Sequence, residues 1–165
     1  MTVTYQIEPV IEALRAFIVS QMTASGTPVP VLPTLTTLAQ YPFDPTLCPL
    51  MVLEPLSTTA DWRHFAAGDV ELSLDMNVHE VRIRSGTAGG GEETIAIHQL
   101  CGLAAAFASD YRLDGNVQNV LVESIFVAEP DTLHRIGIPV EQQTVFAVAT
   151  MKLRIIWIES CFAAA

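Results

Sequence analysis

Lysine is nearly missing from this 165-residue chain: Lys152 is the only one. Eight Lys and Arg stand against 18 Asp and Glu, a formal charge of −10. Holding nucleic acid by neutralising phosphates needs a basic surface, so electrostatically driven nucleic-acid binding is not expected. Cysteine is scarce as well. Cys48, Cys101 and Cys161 are odd in number and widely spaced, which fits neither a disulfide framework nor a zinc site. They read as small hydrophobes packed in a reducing cytoplasm. No basic start precedes an apolar core at the N-terminus, where Glu8 and Glu12 fall, so no signal peptide is expected. Ile18 to Phe43, within the longest run without charge, carries Pro28, Pro30, Pro33 and Pro42 and does not read as a membrane span. The chain is expected to be soluble, or part of a soluble assembly.

What is present is apolar. Half of the residues are hydrophobic and only 16% are charged, too apolar a balance for disorder. The length suits one domain spanning 1–165. Two readings fit so little charge: an ordinary dense core, or apolar surface left over for a partner.

Pro9, Val10, Leu14, Phe17, Ile18 and Met22 predict a first helix, with Pro9 in its first turn and Ser25-Gly26 at its end. Seven of the ten prolines then fall between Thr27 and Pro55. An extended segment over 27–55 is expected, with Leu50 to Glu54 as a short strand. Such a segment serves a function or a partner, or else hugs the core through Val31, Leu35 and Leu38. Val70 to Arg84 is the clearest strand, alternating Val70, Leu72, Leu74, Met76 and Val78 with a wet face that ends at His79. There the apolar phase slips to Val81 and Ile83. Either a bulge near His79-Glu80 absorbs the slip, or the strand changes its neighbour.

Ser85 to Gly91 reads as a flexible, glycine-rich loop before a second helix, Glu92 to Tyr111, with Ile97, Leu100, Ala104, Phe107 and Tyr111 as its buried stripe. Asp114-Gly115-Asn116 is a turn. Val117 to Ala128 and Val145 to Glu159 follow as strands. The last is apolar on both faces, as a central or interface strand would be. The order predicts an α+β fold: a small, mainly antiparallel four-stranded sheet with two helices on one face.

Catalytic chemistry is thin. His64, His79, His98 and His134 are scattered without fixed-spacing partners, so no metal site is expected. No G-x-S-x-G elbow occurs, and Cys101 reads as a buried structural residue. The Ser85–Gly91 loop lacks the GK[ST] ending of a phosphate cradle, and Glu92-Glu93 would repel phosphate there. Asp69, Glu71 and Asp75 share a strand face that solvation explains. No catalytic residue and no cofactor are assigned, and an enzyme with a sparse site stays as a competing class.

The arrangement as a whole resembles the tail terminator proteins of long-tailed, siphovirus-type bacteriophages. Four stretches carry the resemblance: "PVIEALRAFIVSQM", "YPFDPTLCPLMVLEP", "VELSLDMNVHEVRIR" with "EETIAIHQLCGLAAAFAS", and "TVFAVATMKLRIIWIES" after "RIGIPVEQQ". It is a likeness of pattern and order over Pro9 to Glu159. It implies a structural virion protein at the head–tail junction, made in the host cytoplasm, whose subunits form a hexameric ring. The ring caps the tail tube, contacts the tail tube protein and head–tail connector proteins, lets DNA pass without specific binding, and meets no membrane. Alternatives are a tail-completion or other minor tail or connector protein, or a small dimeric ligand-binding α+β module with its pocket between helix and sheet.

Arg82, Arg84, Lys152 and Arg154, half of all basic residues, interrupt apolar strands. Either they face solvent, or they meet acids such as Glu92, Glu93 or Asp75 of a neighbouring subunit and set the register of a ring. These six, Arg82, Arg84, Glu92, Glu93, Lys152 and Arg154, are the candidate interface residues.

Overall fold

Helix α1 (Ile7–Ala24) takes its place because its five periodic apolar residues share one side: Val10, Leu14, Phe17, Ile18 and Met22 are all buried. The computed structural model describes residues 7–24, 31–33, 48–61, 68–84 and 91–160. Much of the Pro-rich segment, the Ser85–Gly91 loop up to residue 90, His64 and Cys161 lie outside the described residues. Within the Pro-rich segment, Val31–Pro33 forms strand β1, which runs parallel to β2 (Leu50–Asp61), Val31 opposite Met51. Strand β2 is longer than the expected Leu50–Glu54. Pro55 has no N–H to give, the register shifts between Pro55 and Ser57, and pairing then resumes to Asp61.

Strand β3 (Asp69–Ile83) pairs with β5 (Phe146–Ser160) in unbroken register from Asp69 opposite Ser160 to Ile83 opposite Phe146. The bulge expected near His79-Glu80 is therefore absent. The apolar phase slips for a different reason: at that end the sheet is covered on its other side. Helix α2 (Gly91–Ser109) buries Ala96, Leu100, Leu103 and Phe107. This stripe is displaced from the expected one: Ile97 and Ala104 are half-buried and Tyr111 is exposed. Cys101 is exposed too, not buried as expected, because it sits one position past the Leu100 row.

The turn after α2 carries three successive left-handed residues, Leu113, Asp114 and Gly115, with φ of 47°, 58° and 86°. Asp110 Oδ2 accepts from the Asp114 N–H, and Asn116 Nδ2 donates to the Leu113 carbonyl, which holds the turn against its intrinsic cost. Strand β4 (Asn119–Val127), helix α3 (Pro130–Arg135) and a 3-10 turn (Val140–Gln142) lead into β5. Gly137, at φ 92°, reverses the chain after α3.

The sheet order is β1-β2-β3-β5-β4. The four long strands are antiparallel, β1 adds a short parallel edge, and the fold is α+β as expected. β5 is flanked by β3 and β4, which accounts for its two apolar faces. On one side of the sheet α1 and α2 close the main core, where Phe17 and Phe107 stack with centroids 5.2 Å apart. On the other side the segment from α3 to the 3-10 turn closes a second core. There Leu133, Ile136 and Ile138 cover Leu50, Val52, Val81, Phe146 and Val148. Val81 thus has its own apolar cover, and beyond it no described element packs on that face.

Candidate functional site

Arg82 and Arg84 follow Glu80 along one face of β3, at the N-terminal end of α2. Arg82 reaches Glu80 (2.8 Å) and Glu92 (3.1 Å), and Arg84 reaches Glu93 (2.5 Å) and the Phe146 carbonyl (3.2 Å). The structure therefore brings together four of the six candidate residues within one chain, and adds Glu80. Glu80 is wholly buried and its Oε2 has no hydrogen-bond partner among the described residues. Burial pushes its carboxyl up to about 7, against the opposing pull of the Arg82 guanidinium.

Lys152 and Arg154 lie on the opposite, open face. Arg154 Nε donates to Asp75 Oδ1 at 2.7 Å, and the Arg154 hydrogen bond holds the Asp75 carboxyl below its ordinary value. Glu123, which sits where β4 shifts register between Val122 and Ser124, lies 3.7 Å from Lys152 and 3.8 Å from Arg154. These pairs are partly exposed, and pairs of that kind contribute little to stability. Around them the sheet exposes Leu121, Phe126 and Ile158, with Leu56 at the β2 irregularity and Val127 at the end of β4.

A third cluster escaped the sequence. Glu54, His79 and Thr150 are all fully buried, His79 on what the alternation marked as a wet face. The His79 Nε2–H donates to the Glu54 carboxylate, and His79 Nδ1 lies 2.8 Å from Thr150 Oγ1. Arg135 of α3 reaches over to Glu54, its Nε 2.8 Å from Oε1. Burial alone would raise the Glu54 carboxyl, but hydrogen bonds from His79 and Arg135 outweigh it and hold it at about 2. Carboxylate, imidazole and hydroxyl in a row resemble a nucleophile's relay. Yet Thr150 is sealed beneath the α3 segment, so no substrate atom can meet its hydroxyl in this conformation. The signal was faint: an apolar run LMVL that ends in Glu54, and a histidine at the phase slip.

A cleft of about 350 Å3 opens between the start of α1, the 112–118 turn and the end of β5, lined by Pro9, Arg112, Asn116, Gln118, Trp157 and Glu159. No cluster of His, Cys, Asp and Glu suited to a metal ion occurs among the described residues. No described helix is long and apolar enough to cross a membrane. No protein-family model matches the chain, and no curated protein matches it.

Proposed function

We propose that the chain is a structural virion subunit of the tail-terminator kind, which closes into a ring on the end of a phage tail tube and joins it to the head–tail connector. The observation that carries this reading is a sheet whose burial is unfinished. One face carries α1 and α2 over the main core, while the other is covered only at one end among the described residues and leaves Leu121, Phe126 and Ile158 exposed around paired charges. Scattered exposed hydrophobics are ordinary; a strand such as β4 with Leu121, Phe126 and Val127 all open points to a contact between subunits. The net charge of −10 adds support, since a negative lumen lets DNA slide rather than hold.

The role is a scaffold's, with no catalytic step and no cofactor. Arg82, Arg84, Lys152 and Arg154 are already paired in the chain, so their part in a ring is to shape the surface that a neighbour meets. Native mass spectrometry of the purified chain with tail-tube ends should show a closed ring. Virions assembled without the protein should lose control of tail length. A chain that stays dimeric with tubes present would move the reading to a ligand-binding module, with the cleft beside Arg112 as its pocket.

A further inference from the structure

Among the described residues the sheet has two open edges. β4 has β5 on one side and no strand on the other, and β1 pairs with β2 only from Met51 to Leu53, so no strand lies beside Leu56 to Ala60 among the described residues. Natural proteins guard such edges with lysines, prolines or cover, because unpaired N–H and C=O groups invite another strand. Here Glu123 is the single charge on β4, and Leu56 to Ala60 carries none.

Strand direction specifies what the edges fit. β2 is antiparallel to β3, β3 to β5, and β5 to β4, so β2 and β4 run in opposite directions. A β4 laid beside the β2 of another copy would continue the alternation without a break. Edge joins edge by two different surfaces, the head-to-tail contact that closes rings rather than two-fold pairs. One edge is uncharged and the other carries only Glu123, which Lys152 and Arg154 already approach, so copies that each carry −10 can meet where repulsion is least. We infer that β4 of one subunit pairs antiparallel with Leu56 to Ala60 of the next, making one sheet continuous around the assembly. The inference rests on the ring reading and names its contact.

Two single variants test it, Thr59→Cys on the open part of β2 and Ser124→Cys on β4, treated with a short bis-maleimide. The mixture should give covalent dimers well above the background that the native cysteines set in the unsubstituted chain, and neither variant alone should. Ser124→Cys linking to itself would show two-fold pairing and overturn the head-to-tail contact. No linking in a preparation that sediments as a ring would overturn the contact and leave the ring reading intact; no ring and no linking would overturn both. A second measurement uses Leu121→Lys with Val127→Pro. Ala128 N–H points inward to the Val148 carbonyl, so the Val127 N–H points outward and its loss spares the fold. This variant should keep its circular dichroism and lose the ring. A folded variant that still closes rings would overturn the inference.

Discussion

Glu54 and Glu80 are buried to the same extent on neighbouring strands, yet one carboxyl is held at about 2 and the other pushed up to about 7. Burial pushes both the same way. What differs is the number of donors. Glu54 receives His79 on one oxygen and Arg135 on both, whereas Glu80 has Arg82 on one oxygen and, among the described residues, nothing on the other. Arg82 is moreover shared with Glu92. A buried acid is thus set by how completely it is satisfied, and the same sheet shows both extremes.

The largest effect should come from breaking the satisfied side. Glu54→Ala leaves the buried His79 without its acceptor, while the half-exposed Arg135 can turn to water, and should cost about 3 kcal/mol in urea unfolding. The mirror change, Glu80→Gln, should stabilise the protein at neutral and higher pH, by up to about 2 kcal/mol, because it removes a charge that burial disfavours. The pH dependence gives the sign independently. Native Glu80 keeps its proton up to about pH 7 while the unfolded chain releases it near 4.5. Its contribution is full below 4.5 and lost as pH rises through about 7. Glu54 runs the other way: its contribution is full above 4.5 and lost as pH falls through about 2. The two alone place maximal stability in mildly acidic solution, and Glu80→Gln should flatten the falling limb above it.

A smaller effect is expected from Thr150→Val, which leaves His79 Nδ1 without its hydroxyl and should cost about 1 kcal/mol by the same urea measurement. Smallest of all is Arg154→Gln on the open face, which should leave the unfolding midpoint unchanged within error. A large loss there would show that the exposed Asp75–Arg154 pair is not the minor contact its position implies.

The contrast also marks what could be read in advance. Helix α1 and the alternation of β3 follow from local periodicity and are where the pattern puts them, and of the two places the pattern allowed β5, central or interface, the sheet gives it the central one. Glu54 and His79 meet only because β2 and β3 pair with Val52 opposite His79, a register no local pattern encodes. No strong periodicity marks residues 130–142, so their cover over Val81 was invisible, and the phase slip pointed to a bulge or a change of neighbour instead. The stripe of α2 failed for another reason. With small residues at Gly102, Ala104, Ala105, Ala106 and Ala108, several faces of that helix look equally apolar, and only contact with the sheet chooses one. Of the candidate charges, the acids Glu92, Glu93 and Asp75 were legible as partners, but not the chain that supplies them: Arg82 finds Glu92 across a loop and Arg154 finds Asp75 across the sheet, all within one subunit.

The place of β5 between β3 and β4 has a consequence for how the protein is made. Every strand pairing of β4, and the whole inner edge of β3, waits for residues 146–160. During synthesis β3 has β2 alone, and β4 leaves the ribosome with no strand beside it, its Leu121, Phe126 and Val127 open to any passing chain. The nascent protein is therefore most vulnerable to mispairing in the interval between β4 and β5. A chaperone that holds extended apolar segments would find its target there.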